Sequence, residues 1–407
     1  MTWDIAVLES YRHKADPLAD AVVAKIIESG EVEHVNQLFR KMVENMSLPM
    51  EEMPDYVRDY FLQTAQLPAF ADTRLIAIGQ QVFATYGPEI SMMLLCKALP
   101  SSYTCGNGAE VLYATGRLNE QHGDLQPFTR RLMETSQFVI DVLAEKGIEP
   151  SGRGIRSAQK VRLMHASIRY FLHQRGDWDY EKLGIPINQE DMAGTLMAFA
   201  AYPIEGLGQI GIDLSKEQKE GYFHVWRLIG TVMGVEPDLI PTHFEAGMKL
   251  GYAILDHQKR QTQAGIELGK ACLDFLKSIT PTTLFDFYPQ MLVRYLMGDE
   301  LANIIAVPDF PNYAEKLLQK LTIAIFGKVD KTMDRNGLIA ALARHFNTRL
   351  LEGMINHFNH EKQINFYIPP SLQENWLPKP LVESWKTQLA TPDILGYRLA
   401  LQKKEKN

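Results

Sequence analysis

Lys160-Val-Arg-Leu-Met-His165-Ala-Ser-Ile-Arg169-Tyr-Phe-Leu172 is the stretch on which the reading of the fold turns. Its apolar residues Val161, Leu163, Met164, Ile168, Phe171 and Leu172 recur at intervals of three and four, the helical period, and never alternate as a half-buried strand would. The same period runs through Val22, Val23, Ile26 and Ile27, and again through Leu132, Met133, Phe138, Val139, Val142 and Leu143. Alternating β-type runs bounded by turn residues are nearly absent, so the expected class is all-α.

Breakers divide these helices. Met53-Pro54, Leu67-Pro68, Gly87-Pro88, Leu99-Pro100, Ser151-Gly-Arg-Gly154, Glu236-Pro237 and Ile240-Pro241 each read as a helix end, because proline lacks the helical donor and restricts the residue before it. Asp72 or Thr73 is placed to cap a helix running through Phe83. Asn188 is placed to cap Gln189 to Ala201, with Glu190 and Asp191 answering the unpaired N–H groups of its first turn. No linker separates two compositions. The expected organisation is one large helical core over residues 51–310, with helical extensions at 1–50 and 311–407.

Hydrophobic residues make up 46% of the 407 and charged residues 22%, the balance of a globular chain and not of a disordered one. Lys and Arg sum to 42 against 49 Asp and Glu, a formal net charge of -7, which argues against wholesale nucleic-acid binding. The longest charge-free run, Leu75 to Pro88, is too short for a spanning helix, which needs about 20 apolar residues, so no transmembrane segment is expected. The N-terminus lacks the basic and apolar regions of a secretory signal, and a cytoplasmic location is the expectation. Cys96, Cys105 and Cys272 are too few and scattered for a disulfide framework or a cysteine metal site.

Against that acidic background the segment from Ser151 to Gly176 carries six basic residues (Arg153, Arg156, Lys160, Arg162, Arg169 and Arg175) and no acid. Arg162, His165 and Arg169 stand at i, i+3 and i+7, on one side of the helix. Buried cations are costly unless an anion meets them. An imidazole between two arginines suits an anionic cofactor whose metal takes an axial histidine, and haem, with two propionates and an iron, is such a cofactor. The plainer reading stands beside it: a hydrogen-bonded core histidine, with arginines that pair with carboxylates elsewhere. Upstream, Arg131, Glu134 and Thr135 follow i, i+3, i+4, with Phe138 a turn further on. They line a pocket opposite His165 if the two helices face each other, or they form a surface Arg–Glu pair. His224 precedes Trp226-Arg227 and reads as a packing or hydrogen-bonding residue, with a pocket contact as the alternative. His357 and His360 stand at i, i+3 without a third convergent ligand.

The ordered combination of motifs resembles the mpaB-type oxygenases and latex-clearing proteins (rubber oxygenases). Beside Lys160 to Arg169 it includes Trp178-Asp179, Gly184-Ile-Pro-Ile-Asn-Gln-Glu-Asp-Met192, Leu99-Pro100 with Tyr103, and Gly108-Ala-Glu-Val-Leu112. Thr115-Gly-Arg-Leu118, Arg131-Leu-Met-Glu-Thr135, His224-Val-Trp-Arg227, Tyr295-Leu-Met-Gly298 and Val307-Pro308 follow the same order. The resemblance implies a globin-like helical core holding haem b, with His165 as the proximal iron ligand and Arg162 and Arg169 as its flanking arginines. Arg131 and Thr135 match the distal Arg-x-x-Lys-Thr motif. The activity implied is oxygenation of a small apolar, unsaturated substrate with dioxygen. A haem-binding sensor or carrier, or a haem-free protein that binds an apolar ligand, are the alternatives. Rubber-cleaving members carry a lysine where this chain has Glu134, which puts polyisoprene in doubt and makes Glu134 a candidate general base. Glu110 is a candidate second carboxylate, with an exposed helical position as its plainer reading.

Overall fold

The computed structural model of the chain describes residues 3–31, 50–114, 126–279 and 287–309, together with Leu318 and residues 336–340 and 342–343. Among these residues the regular structure is helical, and the sole β-type pairing is an isolated bridge between Cys105 and Lys259. The all-α class is therefore observed.

The N-terminal arm is a pair of helices, α1 (Ile5–Arg12) and α2 (Pro17–Glu28). Asp4 caps α1 by accepting from the Ala6 N–H, and Asp16 caps α2 by accepting from Ala19, with Pro17 in the first turn where its missing donor costs nothing. Val22, Val23 and Ile26 of α2 pack on Val57, Tyr60 and Phe61 of α3 (Asp55–Thr64). Leu163 and Ala166 of the His165 helix close the same small core.

Asp72 caps α4 (Thr73–Met93) as expected, accepting from Arg74 and Leu75. Two of the breakers behave differently from the sequence reading. Gly87-Pro88 lies inside α4, where Tyr86 leaves helical geometry (φ -119°, ψ 17°) and absorbs the donor and the space that Pro88 removes. Leu99-Pro100 likewise opens a short helix, α5 (Leu99–Ser102), directly after a π-helical turn at Leu94–Ala98. The chain kinks at Tyr86 and loosens into the π turn, and it stays helical through both prolines because each sits where the preceding turn already departs from the α-helical pattern. Lys97 of the π turn is buried and fully engaged, by Gln209 Oε1 at 2.8 Å, Leu296 O at 2.7 Å and Glu205 at 3.0 Å.

After α6 (Gly106–Ala114) come the two long helices that the sequence marks for chemistry, α7 (Gln126–Leu143) and α8 (Arg153–Arg175), which pack against each other. Gly176, at φ 75°, ends α8 in the left-handed conformation that glycine adopts most readily. Trp178 donates to Gly184 O at 2.9 Å, and Asp179 caps the short α9 (Tyr180–Leu183), so this motif is a structural turn. Asn188 caps α10 (Gln189–Ala200) through the Asp191 N–H.

The central axis is α12 (Lys216–Val232), which follows α11 (Tyr202–Gln209) and lies along α4. The two backbones meet at Gly79 and Gly221. A Cβ on Gly79 would stand 2.4 Å from the Gly221 carbonyl oxygen, so glycine is what permits the approach. Helices α13 (Phe244–Gln258), α14 (Gln263–Ser278), α15 (Tyr288–Met297) and α16 (Asp299–Ile304) enclose the other side of one extended apolar core. Among the described residues no helix is long and apolar enough to cross a membrane.

Candidate functional site

Helix α8 shows how its charges are spent. The Arg162 guanidinium binds both oxygens of Asp16, Nε to Oδ2 at 2.6 Å and Nη2 to Oδ1 at 2.8 Å, and its Nη1 donates to Val232 O at 2.9 Å. It lies against Gly234, at φ +80°, where a Cβ would fall 2.5 Å from the guanidinium carbon. Burial disfavours the Arg162 charge, but the Asp16 hydrogen bonds and field outweigh it and hold its pKa above the ordinary value. Arg169 does the same one turn past His165. Its Nε and Nη2 meet Asp20 Oδ1 at 2.8 and 2.7 Å, and its Nη1 donates to Ile187 O at 3.1 Å. Ile187 sits at φ 53°, rare for a β-branched residue. Burial raises the Asp20 pKa even against the Arg169 cation.

The sequence reading reserved these two arginines for the acidic groups of a cofactor. The structure assigns both to α2, the arrangement that the plainer reading anticipated, because two buried guanidiniums meet carboxylates from a helix almost 150 residues away in the chain. His165 itself is half-buried. Steps of three and four residues turn about 60° and 40° around a helix, so His165 is offset from the arginine row. Beyond it, Ile168 and Leu172 pack with Val111 of α6 and with Trp178.

Helix α7 divides into two faces. Glu134 is exposed (55%) and pairs with Arg130 Nε at 3.3 Å, an i,i+4 contact at the surface. Residues 130 and 134 share this exposed face, where solvent screens both charges. Arg131 and Thr135 occupy a second, half-buried row. Thr135 Oγ1 donates back to Arg131 O at 3.0 Å, and the Arg131 charge acts on the fully buried Tyr103 phenol, whose pKa burial drives well up. Phe138 continues this row into an aromatic group. Its ring centroid lies 6.3 Å from that of Phe199 (α10) and 6.0 Å from that of Trp226 (α12), and Phe199 stacks on Trp226 at 4.9 Å.

His224 is buried and structural. Its Nε2 accepts from the Asp72 N–H at 3.0 Å, so it buttresses the start of α4, and its ring meets Phe70 edge-on. Burial and then the Arg227 charge lower its pKa, which favours the neutral imidazole that this bond requires. Glu110 is half-buried on α6. His357 and His360 lie outside the described residues. Among those residues no group of three or more His, Cys, Asp or Glu side chains is placed to hold a metal ion.

One buried cluster went unread in the sequence. Arg12 Nη1 lies 3.2 Å from Glu190 and 3.1 Å from Asp191, while His257 places Nδ1 2.6 Å from Glu190 and Nε2 3.3 Å from Glu9. Glu190 and Asp191 were read as first-turn acids, which they are. Burial raises both pKa values against the pull of the neighbouring cations. Their partners stand 178 and 67 residues distant, a separation that no local pattern signals.

With this geometry in view, the comparisons identify the class. Residues 86–325 match the family described as ER-bound oxygenase mpaB/B'/Rubber oxygenase, catalytic domain, and the chain belongs to that family. It is 25% identical over 299 residues to a rubber oxygenase of Streptomyces sp. (strain K30), spanning 73% of this chain and 71% of that one. Its fold matches a solved structure of latex clearing protein LCP in the closed state with a TM-score of 0.69 and 22% identity, covering 88% of this chain and 94% of the other.

Proposed function

We propose that this chain is a haem b-dependent oxygenase that acts with dioxygen on a small, mostly apolar, unsaturated substrate, olefinic or isoprenoid-like, with His165 as the proximal iron ligand. The observation that carries the proposal is the half-buried His165 in the middle of α8, the helix that packs on α7, in a chain of this oxygenase family.

The residues present fit the group in three respects. An imidazole supplies the axial nitrogen of a haem iron, and a single such ligand suffices without a multidentate metal cluster. Arg131 is a half-buried cation on the adjacent helix, of the sign that a propionate needs. Phe138, Phe199 and Trp226 form an apolar, aromatic wall suited to a flat macrocycle or an alkene. When bound, the haem would supply the redox chemistry with dioxygen. The chain's own residues bind and orient. Arg131 and Thr135 present a charge and a hydroxyl from α7, the aromatic group excludes water, and Arg162 and Arg169 brace α8. Glu134, on the outer face, takes no part.

The test is the ultraviolet–visible spectrum of protein expressed with haem precursor, before and after dithionite, beside His165→Ala. A Soret band that shifts on reduction and vanishes in the variant is expected, followed by alkene-dependent oxygen uptake. A variant with the wild-type spectrum would refute the ligand assignment.

A further inference from the structure

We propose that Asp16 and Asp20 of the N-terminal arm are positioning residues for His165, so that the arm belongs to the site although it touches neither substrate nor cofactor. The inference rests on the reading of His165 as iron ligand.

Two ion pairs, each built on a buried guanidinium, straddle His165. Arg162 lies one turn before it and Arg169 one turn after it, and their partners Asp16 and Asp20 are themselves one turn apart on α2. Each pair ties in a third element. Arg162 also holds Val232 O at the end of α12, and Arg169 holds Ile187 O in the segment that leads to α10. Sliding or rotating α8 by a fraction of a turn would break both pairs together. The bearing of the imidazole between them is therefore set by α2, across an interface that a single local contact could not fix.

The pairs also set the local charge. A guanidinium stays protonated at any accessible pH, so neutralising its partner leaves an uncompensated cation in a poorly solvated place beside the ligand histidine. Such a charge destabilises the more positive, oxidised state of a nearby metal relative to the reduced one. Asparagine keeps the size of Asp16 and remains as good an N-cap for α2, so Asp16→Asn removes charge while sparing the helix start. Asp20 is less enclosed (33% exposed), which makes Asp20→Asn the milder second variant.

The experiment is spectroelectrochemical titration of the holoprotein for wild type, Asp16→Asn, Asp20→Asn, the double variant and Asp16→Asn/Arg162→Gln, with Glu134→Gln as a control that removes the same charge from the outer face of α7. The proposal expects both single variants to bind haem with a raised reduction potential and altered reduced-state bands, and the double variant to shift further. Asp16→Asn/Arg162→Gln should return towards the wild-type potential, and Glu134→Gln should not move it. Potentials and spectra unchanged in both single variants, with only the unfolding midpoint lowered, would overturn the proposal and leave the arm a stabiliser. If His165→Ala keeps the wild-type spectrum, or the wild type takes up no haem, the ligand reading fails and this inference falls with it. Loss of haem in His165→Ala alongside unshifted aspartate variants refutes only the inference.

Discussion

Arg162 with Asp16 and Arg130 with Glu134 are the same chemical pair, each on a helix that the sequence marks for function, and the fold uses them in opposite ways. The first joins residues 146 apart, with side chains 10% and 3% exposed. The second joins residues four apart on one helix, with side chains 65% and 55% exposed. Water and ions screen the exposed charges, so that pair contributes little. The buried charges have lost their hydration, and each depends on the other to stay where it is. Spacing within a helix reveals which residues share a side. It does not reveal which side meets protein, and that is what separates a brace from a surface contact.

The largest expected effect comes from breaking the buried pair. Asp16→Ala leaves Arg162 uncompensated and removes the cap of α2, and should cost about 3–5 kcal/mol in denaturant unfolding. Asp16→Leu/Arg162→Met, which removes both charges, should recover most of that loss. A double variant as unstable as the single one would show that packing and not charge is what matters there.

Next is the second buried cluster. Arg12→Met removes the cation that restrains the raised pKa values of Glu190 and Asp191, at a cost of about 1–3 kcal/mol. Carboxyls whose folded pKa lies above the unfolded one favour the native state at low pH, and that contribution is lost as pH rises through the folded values. The cost of Arg12→Met should therefore grow on going from pH 5 to pH 8, as read from urea midpoints. A cost independent of pH would mean that the two acids stay protonated or find another partner.

The smallest effect is expected at the surface pair. Glu134→Gln should change stability by less than about 0.5 kcal/mol, and Glu134→Lys, which restores the residue of the rubber-cleaving relatives, should leave the haem spectrum unaltered. A new spectral form in Glu134→Lys would break the comparison, because it would show that position 134 can reach the iron.

Much of the architecture was legible in the sequence. The three-and-four spacing identified α2, α7 and α8 as helices, and Asp72 and Asn188 were read correctly as caps, because these signals act within one or two turns of the chain. Pro88 was misread as a helix end. Its cost is local, but the compensation at Tyr86 is a conformational choice that packing makes. For the candidate site, the sequence singled out α7 and α8 but not the direction of their charges. The partners of Arg162, Arg169 and Glu190 lie in the N-terminal arm or in α13, beyond any spacing rule.

By itself the sequence determined that the chain is helical, where many of its helices begin, and which oxygenase family it belongs to, because periodicity, caps and ordered motifs are local chemistry written along the chain. Only the tertiary structure decided that Arg162 and Arg169 serve α2, that Glu134 faces water, and that Arg12, Glu190 and His257 meet inside. Burial and ion pairing depend on which surfaces come together, and the same arginine is a brace in one setting and a solvated charge in another.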